Sequence, residues 1–120
     1  MGKSLFDKIW DSHVVSEIDN GPSIVYIDRQ FIHEVTSPQA FTGIESRGRK
    51  VFRPSQITAT ADHNIPTMDQ HLPIKEQLSA FQVDKLKDNC ARHGIQYYGL
   101  GDDYNGIVHV VGPELGYTQP

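Results

Sequence analysis

The stretch TATADHNIP, Thr58 to Pro66, decides the fold. Thr58, Ala59, Thr60 and Ala61 are small or β-branched, as suits a closely packed strand, and three hydrogen-bonding heads follow at once in Asp62, His63 and Asn64. In open sheets with helical crossovers, ligands bind beyond the carboxyl ends of the strands. A strand that ends in an acid, an imidazole and an amide therefore marks one rim of a sheet as the place to look for chemistry.

Outward from this strand, the chain alternates between two periodicities. SIVYI, residues 23 to 27, follows the turn residues DNGPS and reads as a strand ending at Asp28-Arg29. TSPQAFTGIESRG, residues 36 to 48, has Ser37 as N-cap, Pro38 at the first helical position and Gly48 as stop, which predicts a helix. A longer helix is expected from about Ile74, with Leu78, Phe81, Leu86 and Cys90 on one face and the histidine and glycine at 93 and 94 at its end. IQYYGL then reads as a strand, GDDYNG as a turn and IVHVV as a buried strand containing His109. Near the N-terminus, Ser4 caps a helix running to about Val15, with Asp7 completing a capping box and Leu5, Ile9 and Trp10 facing inward.

Strands alternating with helices predict an α/β fold, a mostly parallel sheet with helices on both faces. If its strands are parallel neighbours, Asp28-Arg29 and Asp62-His63 converge on one rim. No repeat or internal linker divides residues 1–120, so the chain reads as one segment without an internal boundary. It stops on Pro120 with no closing helix, which gives the expectation of a partial domain with an exposed sheet edge.

Composition narrows the function. Apolar residues make up 38% and charged residues 22%, an ordinary globular balance. The net charge of −4 and the scattered lysines and arginines leave no basic footprint, so no nucleic-acid partner is expected. There is no run of apolar residues long enough for a membrane span or a signal peptide, and Phe6 stands where a myristoylation signal needs Ser or Thr. A cytoplasmic location is the resulting expectation. Cys90 is the only cysteine, which excludes an internal disulfide and a multi-cysteine metal site built from this chain alone.

Among the polar residues, Asp62-His63 carries the sharpest signal. A carboxylate paired with an imidazole favours the imidazolium and makes a usable general acid, provided a turn brings two sequence neighbours together. The simpler local reading is a turn-capping aspartate beside an ordinary histidine. His109 interrupts an apolar run and reads either as a satisfied core histidine or as a group reaching a pocket. Arg29 beside Asp28 could clamp a carboxylate or form a structural ion pair. His33 and His71 have no partner at ligand spacing and read as ordinary residues.

Three long segments, YIDRQFIHEVTSPQAF (26–41), TADHNIPT (60–67) and GIVHVVGPELGYTQP (106–120), lie in the order and spacing of one family. They resemble closely the N-terminal part of the 3-isopropylmalate dehydratase (isopropylmalate isomerase) large subunits of the aconitase superfamily, and the likeness spans essentially the whole chain. The resemblance implies aconitase-type α/β/α layers and a hydro-lyase of leucine biosynthesis. Such an enzyme dehydrates 2-isopropylmalate to 2-isopropylmaleate and rehydrates it to 3-isopropylmalate.

By matching motif, the resemblance implies that Asp62 and His63 are the acid–histidine pair beside the substrate hydroxyl and that His109 is a second active-site histidine. Asp28 and Arg29 are expected, by the same resemblance, to support the pocket. Gln39 lies one residue beyond the position, occupied here by Pro38, where aconitases place a substrate-contacting glutamine. A [4Fe-4S] cluster is implied for the complete enzyme, with its cysteines outside this chain and none bound to the segment alone. The implied partner is the small swivel-domain subunit, which supplies the catalytic base, so the segment by itself is expected to be inactive. A homoaconitase-type hydro-lyase and a stand-alone binding or scaffold module with the same fold are the alternatives.

Overall fold

The order of elements follows local rules at the N-terminus and tertiary rules elsewhere. The structure, a computed structural model, describes residues 2–118; Met1, Gln119 and Pro120, and with them the expected interrupted end, lie outside the described residues. Helix α1 (Leu5–His13) starts with the expected capping box: the Ser4 hydroxyl accepts from the Asp7 N–H at 3.1 Å, and the Asp7 carboxylate accepts from the Ser4 N–H at 2.9 Å. The inward face expected for it is not observed. Leu5, Phe6, Ile9 and Trp10 are all exposed, because no other element of the described chain packs over the helix.

The next two strands, β1 (Val14–Glu17) and β2 (Ser23–Val25), form an antiparallel hairpin about the DNGPS turn. SIVYI therefore contains a strand, but one that pairs with Val14–Glu17 and not with the parallel sheet. Gly21 closes the turn with its N–H on the Ile18 carbonyl at 2.8 Å. This hairpin and α1 stand off the rest of the chain, consistent with a radius of gyration of 17.4 Å against roughly 14 Å for a compact chain of this length. Two polar links tie them back. Tyr26 donates its hydroxyl to Gln56 Oε1 at 2.8 Å while accepting from Arg53, and His13 pairs with Asp28 at 3.0 Å.

The parallel sheet comprises β3 (Gln30–Ile32), β4 (Ile57–Thr60) and β5 (Gln96–Tyr98), in that spatial order. Its register aligns Ile32 with Ala59 and Ala59 with Tyr97. Helices α2 (Ser37–Ser46) and α3 (Gln77–His93) are the two crossovers, and they pack on each other over one face of the sheet. Alternation along the strands sends Ile32, Ile57, Ala59 and Tyr97 to that face, where they meet Phe41, Leu86, Cys90 and Ile95. Leu86 and Cys90 are buried as the helical period predicts, whereas Leu78 and Phe81 are exposed and Val83 takes their place in the core. Glu45 joins the two helices by accepting from Arg92 at 2.8 Å and His93 at 3.1 Å.

The opposite face shows the largest departure from the sequence reading. IVHVV is not a strand: Val108–Glu114 form α4, a short helix that covers the Phe31 side of the sheet. A β-branched run turns helical here because Val111 and Gly112 are buried, and a Cβ at Gly112 would come within 3.1 Å of the Phe31 ring. Helices thus flank both faces of a parallel sheet, the α/β layering expected. Among the described residues, no helix is long and apolar enough to cross a membrane.

The His13–Asp28 pair sets a pH window. The hydrogen bond to Asp28 raises the His13 pKa above its usual 6.5, and the same bond lowers that of Asp28 below 3.8. A raised histidine contributes below 6.5 and loses its contribution as pH rises through the folded value; a lowered aspartate contributes above 3.8 and loses it as pH falls. The link between hairpin and sheet is therefore strongest between pH 3.8 and 6.5. In NMR titrations the His13 ring should titrate above 6.5 in the native protein and return towards that value in Asp28→Asn.

Candidate functional site

The carboxyl ends of β3 and β4 lie side by side because the strands are parallel and paired. Beyond β3 come His33 and Glu34; beyond β4 come Ala61, Asp62 and His63. Asp28 and Arg29 precede β3, so they fall at its amino end and do not converge with Asp62-His63 as the sequence reading expected. Arg29 instead lies 4.1 Å over the Tyr117 ring and donates to the Ser55 carbonyl, while Asp28 pairs with His13. Gln39 is exposed in the first turn of α2 and makes no side-chain hydrogen bond among the described residues.

Glu34, fully buried, organises the rim. Its Oε2 accepts from the Asp62 N–H at 3.1 Å, and its Oε1 accepts from the N–H groups of His63, at 2.7 Å, and of Asn64. Three consecutive backbone donors thus point at one carboxylate, forcing the chain to turn as soon as β4 ends. That turn brings Asp62 and His63 into contact, with Asp62 Oδ1 facing His63 Nδ1. Asp62 is almost fully buried, and its Oδ2 accepts from the Val108 N–H at 3.3 Å, at the start of α4. His63 has a half-exposed side chain whose Nε2 makes no hydrogen bond among the described residues. Asn64 continues the network to α3 through Gln82 and through Ser79, whose hydroxyl donates at 3.3 Å.

A cavity of about 380 Å³ opens beside His63, lined by Ile65, Met68, Leu72, Lys75 and Ser79 among others. Its lining mixes apolar side chains with Lys75 and the acidic Asp69 and Glu76. His109 sits in the first turn of α4, exposed, one residue beyond the N–H that binds Asp62. It stands on the Asp62 side of the sheet without joining the Asp62–His63 contact.

His33, Glu34, Asp62 and His63 offer ligand atoms within 4.8 Å of one another, the one group of this kind among the described residues. Most of those atoms are committed. Glu34 accepts three N–H groups, Asp62 is engaged by His63 and Val108, and His33 Nδ1 accepts from the Val35 N–H at 3.3 Å. A cation would have to displace these bonds, so the arrangement is a hydrogen-bonded frame for an acid–imidazole pair. Cys90 lies apart in the core on α3, and burial pushes its thiol up to about 12. It is a packed hydrophobe and not a metal ligand.

Glu34 was not singled out in the sequence, and His33 was read there as an ordinary residue. The available signal was the IHE run itself: a strand over Gln30–Ile32 places both residues at the same rim as Asp62.

Residues 7–120 match the aconitase family (aconitate hydratase). Over all 120 residues the chain is 63% identical to the 3-isopropylmalate dehydratase large subunit of Cytophaga hutchinsonii and 59% to that of Flavobacterium johnsoniae. It is 53% identical, again over its full length, to the large subunit of the same name from Phocaeicola vulgatus. The chain spans 26% of the length of each of these curated relatives. No solved structure matches it.

Two outcomes follow from the frame. Glu34→Ala should destabilise the protein by about 3 kcal/mol or more, since orphaned buried donors cost about 1–3 kcal/mol each. Glu34→Gln, which keeps one acceptor oxygen, should cost less. Urea unfolding measures the loss, and hydrogen exchange at the amides of residues 62–64 should locate it. Cys90 should resist iodoacetamide in the native protein and react only on unfolding, as read by intact mass.

Proposed function

The chain belongs to the aconitase family, and from that premise we propose that it is the N-terminal part of a 3-isopropylmalate dehydratase large subunit. The whole enzyme would interconvert 2-isopropylmalate and 3-isopropylmalate through 2-isopropylmaleate, in leucine biosynthesis and in the cytoplasm. The observation that carries this reading is the Asp62–His63 pair, buried acid behind half-exposed imidazole, at the carboxyl rim of a parallel sheet and beside a cavity. Identity of 63% over the full chain with a large subunit of that name supports the choice of reaction.

In this proposal Asp62 holds His63 by Nδ1, leaving Nε2 to face the substrate. As the imidazolium, His63 gives its Nε2 proton to the departing hydroxyl oxygen; the C–O bond breaks and water leaves. The proton on the neighbouring carbon goes to a base outside this chain, which we assign to the small subunit, and its electron pair forms the double bond. Readdition of water to the other carbon reverses these transfers, with His63 taking up the proton from the incoming water. His109, one residue from the N–H that fixes Asp62, is proposed as a second substrate-facing histidine. Arg29 and Asp28 keep a supporting role at the opposite rim, and Gln39 is at most a peripheral contact.

A [4Fe-4S] cluster is implied by the family, but this chain does not fit it as a ligand set. Its single cysteine is buried in the helical core with its thiol held protonated at neutral pH. Any cluster would be held by cysteines elsewhere in the large subunit.

The test is isomerisation of 2-isopropylmalate by the full large subunit together with its small subunit. Activity is expected in the complex and none in the 120-residue segment alone. His63→Ala should lower kcat by about 10²- to 10⁴-fold, the usual share of a general acid. An inactive wild-type complex, or a fully active His63→Ala enzyme, overturns the proposal.

A further inference from the structure

His63 is anchored at one atom only. Its Nδ1 meets Asp62, its side chain is 53% exposed, and a ring held at a single point can swing its far nitrogen through a wide arc. The second restraint is another ring. His33 stacks on His63 with centroids 4.2 Å apart and planes inclined by 24°. At this separation the two rings are in van der Waals contact across their faces.

The His33 ring is itself fixed. Its Nδ1 accepts the Val35 N–H at 3.3 Å, so in the neutral imidazole the proton lies on Nε2. Its carbonyl accepts from the Ser37 hydroxyl at 2.6 Å and the Ser37 N–H at 3.4 Å, locking the residue to the first turn of α2. The next residue, Glu34, holds the backbone of His63. One dipeptide at the end of β3 therefore grips both the backbone and the ring of His63.

We propose that His33 is a positioning residue for His63: its flat ring is the rest that keeps the His63 imidazole aligned with its Nε2 presented to substrate. This inference rests on the proposed reaction for its consequence in rate, but the stacking has a readout of its own. A flat ring at position 33 is what the role requires, and the His33 nitrogens enter only by fixing that ring. Phenylalanine therefore substitutes in kind. Val35 is exposed, so water can take the N–H that phenylalanine does not accept.

The full large subunit with its small subunit would carry His33→Ala or His33→Phe. In His33→Ala, kcat should fall about 10- to 100-fold, the effect of misaligning a reacting group by an ångström or so, while KM changes little. His33→Phe should recover most of the loss, which a residue needed only for folding through its polar atoms would not allow. In parallel, carbethoxylation of His63 by diethylpyrocarbonate, followed by peptide mass spectrometry, should be faster in His33→Ala than in wild type and near wild type in His33→Phe. Wild-type kcat and wild-type His63 reactivity in His33→Ala, or equal impairment of the two variants in both readouts, overturn the proposal. If the wild-type complex shows no isomerisation, the functional reading fails, and the carbethoxylation rates alone still decide whether His33 restrains His63.

Discussion

A single buried carboxylate sets the geometry of the rim. Glu34 has no cationic partner among the described residues, and the donors that compensate it are three backbone N–H groups in succession, those of Asp62, His63 and Asn64. Such a fan of donors is available only where a strand has ended and the chain curls around a point. The constraint acts in both directions: the carboxylate is tolerable in the interior because the turn supplies its donors, and the turn exists because the carboxylate collects them. A lysine in place of these donors would compensate the charge without fixing any backbone, so the choice of main-chain partners is what converts burial into geometry.

That turn depends on the sheet beneath it. Thr58, Ala59, Thr60 and Ala61 leave the middle strand almost no exposed surface, and their small size lets helices approach from both sides. Thr60 uses its hydroxyl on the α4 side, donating to the Gly106 carbonyl at 2.9 Å, while Asn105 donates to the carbonyls of Ala61 and Tyr98. The loop before α4 is thereby stitched to the end of the middle strand. On the other face Asn64 reaches the first turns of α3 through Gln82 and Ser79. The rim is clamped by both layers, as an acid–imidazole pair requires if its alignment is to survive thermal motion.

The middle strand, the turn after it and the two crossover helices were legible in the sequence because each is written locally, in side-chain size, turn chemistry, terminal glycines and the 3.6-residue period. The expected N-cap was not, since Ser37 is the first residue of α2 with its hydroxyl on the His33 carbonyl, and Thr36 stands at the cap without a side-chain bond. What was not legible depends on partners. SIVYI has every strand property, yet nothing in it tells that its neighbour is Val14–Glu17 and not Ile57–Thr60. Once that strand was placed in the parallel sheet, Asp28-Arg29 moved to the wrong rim and His33-Glu34 was not placed at its end, since the true strand begins at Gln30. IVHVV failed for a different reason. Its β-branched residues favour a strand locally, but the close approach of Gly112 to Phe31 and the burial of Val111 reward a helix.

The correction to IVHVV changes how the site is understood. As a strand, His109 would have been fixed by a ladder of backbone hydrogen bonds independent of Asp62. As part of α4 it is connected to Asp62 only through its neighbour, because the carboxylate that orients His63 through Oδ1 also accepts the Val108 N–H, at the start of that helix, through Oδ2. One aspartate therefore links His63 to the first residue of the helix that carries His109. Any movement of α4 would pull on the oxygen that shares a carboxylate with the His63 contact. The two halves of the rim are consequently a single mechanical unit, with Glu34 fixing where the pair stands and Asp62 fixing what stands beside it.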